Sequence, residues 1–220
     1  MKTKLVSNNS DRLVVFLTGW GCDDVQFKQM TGTSDVLLCW DYSDLGFEFD
    51  FSGYKTVDLI AYSAGVFVGG LIEEKLPKLS LKIAINGNPK MFDGYFGIPK
   101  EVLAVMRNLN LDNFMDFRRE YLVTSEKELE EFCKNSSLRT FESCDEELDS
   151  LKKYSLTDYA PMDFDVAILS DSDKIFIPKH QTEYFDGKYI LLKGFGHNVF
   201  SLFTDYDEII KFALKKSSQL

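Results

Sequence analysis

The sequence predicts an α/β fold: a mainly parallel sheet of six strands with helices on both faces, interrupted by an inserted helical segment. Three observations carry this expectation. Short, nearly continuous apolar runs bounded by turn residues recur along the chain, as strands covered on both faces require. Segments of helical spacing alternate with them. Between residues 98 and 155 the strand signal disappears and helix signals multiply, in a stretch far longer than an ordinary connection.

The first strand is read at residues 12–18, ending in Gly19-Trp20-Gly21. Strands at 35–40, 57–62 and 81–86 follow, and a helix from Gly65 is closed at Leu76 by Pro77. In the insertion, Pro99 opens a helix with Val102, Leu103 and Met106 on one face, and Phe114, Phe117 and Tyr121 share a face on a second. Ser125 with Glu128, and Ser143 with Glu146, have capping-box form and mark two further helix starts. Strands resume at 165–169 and 188–192, with a last helix at about 204–215. The division is thus a core of residues 1–97 and 156–220 and a helical insertion of residues 98–155, of the kind that serves as a lid.

Composition narrows the function classes. The 220 residues are 45% apolar and 27% charged, an ordinary globular mixture. A net charge of −10 without a basic run argues against a nucleic-acid groove. The longest uncharged apolar stretch, residues 59–72, holds Tyr62, Ser63 and three glycines and is too short to span a bilayer. Lys2 and Lys4 have no apolar segment of signal-peptide length behind them. Four cysteines without a C-x-x-C pair, and two histidines, predict neither a disulfide scaffold nor a zinc site. A reduced, cytoplasmic protein that binds neither membrane nor nucleic acid is expected.

Chemistry concentrates where the third strand meets its helix. Ala61-Tyr62-Ser63-Ala64-Gly65 has the form of a nucleophile elbow, with alanine in the first glycine position. The alternative is a serine that only caps the helix. A serine hydroxyl needs a base within hydrogen-bond reach. His197, in the glycine-rich loop after the last strand, is preferred over His180, which lies in the polar start of a short helix. The base in turn needs a carboxylate. Asp173 is preferred over Asp171, which reads as a turn residue capping its own backbone. Oxyanion donors are expected from the Ala64 N–H and, in Gly19-Trp20-Gly21, the Trp20 N–H. Trp20 has core packing as its alternative role.

Longer segments carry more than the elbow. Phe16 to Gly21, Asp41 to Asp44, Phe51 to Tyr54, Ala61 to Gly65, Asn86-Gly87-Asn88-Pro89, Gly97 to Pro99 and Phe117 to Arg119 resemble the BioG-type pimeloyl-[acyl-carrier-protein] methyl ester esterases of the α/β-hydrolase superfamily. The likeness spans nearly the whole chain. It implies a serine carboxylesterase that removes methanol from methyl-pimeloyl acyl carrier protein in biotin synthesis, with Ser63, Asp173 and His197 catalytic and no cofactor. Thr18 stands where many α/β-hydrolases have a histidine before the oxyanion glycine. The acyl chain then needs an apolar slot, for which Phe114, Phe117 and Tyr121, beside Trp20, are the candidates; packing the insertion onto the core is their other role. Arg107, Arg118, Arg119 and Arg139 all fall in the insertion. Arg118 and Arg119 are the candidates for an acidic carrier surface or the phosphopantetheine phosphate. A monomer is expected. The competing readings are a general short-chain carboxylesterase, a carrier thioesterase, or a ligand-binding relative without turnover.

Overall fold

The structure is a computed structural model and describes residues 1–217. Its sheet has seven strands in the order β1-β3-β2-β4-β5-β6-β7: β1 (Lys2–Val6), β2 (Arg12–Leu17), β3 (Asp35–Trp40), β4 (Thr56–Tyr62), β5 (Leu81–Ile85), β6 (Val166–Ser170) and β7 (Tyr189–Leu192). The expected count of six is corrected. β1 runs antiparallel along β3, with Lys2 opposite Trp40 and Val6 opposite Val36, and the other pairings are parallel. β1 escaped the sequence reading because an edge strand needs little apolar cover, and residues 2–5 are exposed.

Strand alternation sorts the core into two layers. Leu13, Val15 and Leu17 of β2 face one layer with Phe67 of α1 (Ala64–Leu71) and Phe185 of α6 (Pro178–Phe185). Val14 and Phe16 face the other, with Ile209, Ile210 and Ala213 of α7 (Tyr206–Ser217). Helices therefore cover both faces. Between β5 and β6 lie α2 (Lys100–Arg107), α3 (Phe114–Phe117), α4 (Glu126–Cys133) and α5 (Phe141–Tyr154), and α3 passes directly into a π-helical turn at Arg118–Leu122. Ser125 caps α4 as anticipated, its hydroxyl accepting from the Glu128 N–H. Ser143 caps nothing: α5 begins earlier, with the Thr140 hydroxyl accepting from the Ser143 N–H. The first helix is also shorter than expected, ending at Leu71 before a 3₁₀ turn at Glu73–Lys75.

The last helix is fastened to the loop before β3. Asp207 accepts from the backbone N–H groups of Thr33 (2.7 Å) and Ser34 (3.1 Å) and from both hydroxyls. Burial pushes its carboxyl up, but these donors outweigh burial and hold it below the usual carboxylate range. A depressed folded-state pKa contributes stability above the unfolded value, about 3.9, and loses it as pH falls through the folded value. Asp207→Asn should therefore lower the unfolding free energy at pH 7 by about 1–3 kcal/mol. Urea titrations should show the gap between variant and wild type closing as pH falls below about 4.

Candidate active site

β4 leads straight into Ser63, whose backbone sits at φ 54° and ψ −118° before α1 begins at Ala64. A non-glycine residue there is strained, and the surroundings must hold it. They do so by close packing. A Cβ on Gly65 would lie 2.4 Å from the Leu17 carbonyl oxygen, and one on Gly87 would lie 2.4 Å from the Ser63 carbonyl oxygen. The residue two after the serine is thus small because the end of β2, rather than its own strand, presses on it. The Ser63 N–H donates to the Ile85 carbonyl at 2.9 Å, tying the elbow to β5.

His197 sits in the loop after β7 and is buried. Its Nε2 lies 2.9 Å from Ser63 Oγ and its Nδ1 2.8 Å from Asp173 Oδ2. With the proton on Nδ1, the imidazole donates to Asp173 and accepts from the serine hydroxyl. Asp173 is oriented in turn by the N–H groups of Ile175 (2.7 Å) and Phe176 (3.1 Å) on its other oxygen. Asp171 accepts instead from the Gly194 N–H, which holds its carboxyl below the usual range, and it does not touch His197. His180 stacks on Tyr95 at 3.9 Å and is not among the groups lining the cavity.

Asn86 is a site residue that the sequence reading did not single out. It sits at φ 40° just past β5, and its amide donates to the His197 carbonyl (2.8 Å), the Gly196 carbonyl (3.2 Å) and the Ser170 hydroxyl (2.8 Å). It braces the histidine loop from below. The π turn braces the same loop from above, through the Leu122 carbonyl accepting from the Asn198 N–H at 2.8 Å.

The loop after β2 comes alongside the serine: a Cβ on Gly19 would meet Ser63 Cβ at 3.2 Å and Tyr62 Cε1 at 3.0 Å. A side chain there would require Tyr62 or Ser63 to give by a few tenths of an ångström, which glycine avoids. Among the described residues, neither the Trp20 nor the Ala64 N–H has an acceptor. The Trp20 indole donates to the Cys144 carbonyl of α5 at 2.7 Å. Three residues on, the fully buried Glu147 accepts from the N–H groups of Gly21 and Tyr42, both at 2.9 Å, and from Arg139 at 2.6 Å. Burial pushes the Glu147 carboxyl up, and these three donors oppose it.

Beside Ser63 opens a cavity of about 190 Å³. Trp20, Phe114 and Phe117 line it as anticipated, with Met91, Ile98 and Met106 adding apolar wall. Tyr121 does not line it: the backbone widens into the π turn, and Tyr121 stacks on Phe117 at 5.2 Å. Arg118 corrects the carrier-surface expectation alone: it is 4% exposed and presents no docking charge at the surface, but it lines the cavity. Its guanidinium lies over the Phe114 ring at 4.0 Å and donates to Ser136 Oγ at 2.9 Å. Arg119 is exposed and off the cavity, paired with Glu126 (2.7 Å) and Asp116 (3.0 Å). Among the described residues, no group of three His, Cys, Asp or Glu side chains could hold a metal ion. The four cysteines are free thiols, and no described helix is long and apolar enough to cross a membrane.

Fold and site together fit an α/β-hydrolase, and the family the chain belongs to makes it a carboxylic ester hydrolase. Solved structures share the architecture, among them a lipase-esterase related protein from Clostridium acetobutylicum, with 15% identity, a TM-score of 0.62 and 99% of each chain covered. The family described as pimeloyl-ACP methyl esterase BioG matches residues 1–209, and the chain belongs to it. The crystal structure of BioG from Haemophilus influenzae is similar at a TM-score of 0.83 and 28% identity, covering 94% of this chain and 99% of that one. An uncharacterized protein of H. influenzae is 30% identical over 95% of this chain and 99% of its own length. A malonyl-[acyl-carrier protein] O-methyltransferase of Bacteroides fragilis is 31% identical over 77% of this chain, which spans 36% of that protein.

Proposed function

We propose that Ser63, His197 and Asp173 carry out the hydrolysis of a carrier-bound pimeloyl methyl ester, with residues 98–155 as the lid over the acyl chain. What supports this reading most is the hydrogen-bonded series from Ser63 Oγ through His197 to Asp173, opening onto a largely apolar cavity. Ser63 Oγ attacks the ester carbonyl while His197 Nε2 takes its proton, and Asp173 stabilises the imidazolium. The oxyanion faces the Trp20 and Ala64 N–H groups. Collapse breaks the bond to the methoxy oxygen, which leaves as methanol with the proton from His197. Water, deprotonated by His197, then attacks the acyl-enzyme and frees the acid and Ser63. The likeness to a methyltransferase named for a carrier-bound malonyl group fits this reading, since its reaction makes the kind of methyl ester removed here. On this reading the enzyme works in the cytoplasm as a monomer, with the carrier as transient partner.

Incubating the enzyme with methyl-pimeloyl carrier protein and weighing the product tests this directly. Loss of the methyl group with the acyl chain retained is expected. Release of the whole acyl chain would make it a thioesterase instead.

Acyl carrier protein is acidic, so a chain of net charge −10 must meet it with local positive charge. Of the two candidate arginines, Arg119 is the exposed one. Arg119→Glu should raise KM for carrier-bound substrate about 3- to 10-fold and leave a small soluble ester unaffected. Equal loss on both substrates would assign Arg119 to holding Asp116 and Glu126. Arg118→Glu is expected to act differently. The guanidinium also lies over the Phe132 ring at 5.2 Å, and an acid against these two rings should cost about 3 kcal/mol or more of stability, visible as a lower urea midpoint.

A further inference from the structure

We infer that Glu147, held by Arg139, is a positioning residue for ester hydrolysis, through which lid helix α5 sets the geometry of the oxyanion loop; the inference rests on the site assigned above. Glu147 is fully buried, and each of its oxygens takes one backbone N–H from a different loop: Gly21 after β2 and Tyr42 after β3. Those strands are neighbours in the sheet. Each loop turns through a left-handed residue at this point, Gly21 at φ 70° and Asp41 at φ 59°. Arg139 completes the arrangement by donating to Glu147 (2.6 Å), Asp41 (3.1 Å) and the Ser143 carbonyl (2.9 Å). Every group aimed at the carboxylate is a donor, which only an acceptor on both oxygens satisfies.

The consequence falls on Trp20. Its indole is held by the Cys144 carbonyl, and the N–H of the next residue is held by Glu147, so α5 grips the loop on both sides of the Trp20 α-carbon. Cys144 and Glu147 lie three apart and share a helix face. Gly19, pressed against Tyr62 and Ser63, fixes the other end. The peptide bearing the Trp20 N–H is thus aimed before substrate arrives, which is what oxyanion stabilisation requires. In this molecule the aim comes from the insertion, not from the core alone. A lid that swung away as one body would leave the loop without its clamp.

Glu147→Gln tests this, because the amide's NH₂ must face one of the two backbone donors. The probe is a trifluoromethyl ketone analogue of a short acyl ester. Ser63 Oγ adds to its carbonyl, the proton passes to His197, and the resulting alkoxide needs the oxyanion donors. For a small ester, Glu147→Gln should lower kcat about 10- to 100-fold, short of the 10²–10³ for outright loss of a donor. KM and the pH profile should stay unchanged, and affinity for the ketone should fall by the same factor as kcat/KM. Trp20→Phe, which removes only the indole N–H, should give a smaller loss of the same kind, and the two losses should not add. A purely structural role would lower the active fraction and leave ketone affinity unchanged; that result, or no change at all, would overturn the inference. If Glu147→Gln does not fold, Trp20→Phe decides the matter on the same readouts. A wild-type enzyme that neither binds the ketone nor hydrolyses any ester would overturn the site assignment itself, which is a different result.

Discussion

Ser63→Ala should lower kcat by roughly 10⁴- to 10⁶-fold, the scale on which a triad acts as a unit. The expectation follows from the elbow. Ser63 is held at φ 54°, and its hydroxyl sits 2.9 Å from His197 Nε2. Alanine keeps the backbone shape and the packing against Gly19 and Gly87, so the variant should fold with an unchanged melting temperature. The loss is then chemical. Binding of substrate should survive, because only one hydroxyl of the cavity wall is removed. Single-turnover measurements with excess enzyme separate slow chemistry from failed binding, and hydrolysis within about tenfold of wild type would remove Ser63 from the reaction.

The second large effect is expected at His197. His197→Ala should abolish turnover to a similar degree, about 10⁴-fold or more, whereas His180→Ala should leave it near wild type. His180 stacks on Tyr95 at the start of α6 and touches neither Ser63 nor Asp173. Both variants should be tested for folding by near-ultraviolet circular dichroism, since His197 packs near Tyr62 and Phe176. Activity that depends on His180 and not on His197 would reverse the choice of base.

The grouping of Ser63, Asp173 and His197 was legible because few residues compete for it. The chain holds two histidines, one of them just past a strand of a parallel sheet, where loops gather. Order along the chain and strand context did the rest. Glu147 and Arg139 were not legible in the same way. A glutamate on an amphipathic helix ordinarily faces water, and nothing local distinguishes Glu147 from Glu146 one residue earlier. Its burial depends on two backbone N–H groups from loops more than a hundred residues away in sequence. Asn86 had a readable signal: an amide directly after a buried strand, in Asn86-Gly87-Asn88-Pro89, sits where α/β sheets place functional groups. Tyr121 misled because helical spacing assumes an α-helix throughout, and the π turn at Arg118–Leu122 changes the period. Arg118 misled for the opposite reason to Glu147. An arginine beside another arginine reads as a charged surface, yet the rings of Phe114 and Phe132 take its guanidinium inside.

The amide of Asn86 joins β5, β6 and the histidine loop in one knot: it donates to Ser170, Gly196 and His197 and accepts from the Ser170 N–H. The backbone under the imidazole is therefore tied to two neighbouring strands of the sheet. On gentle heating, esterolysis should persist until the whole molecule melts, and the two curves should superimpose rather than run in sequence.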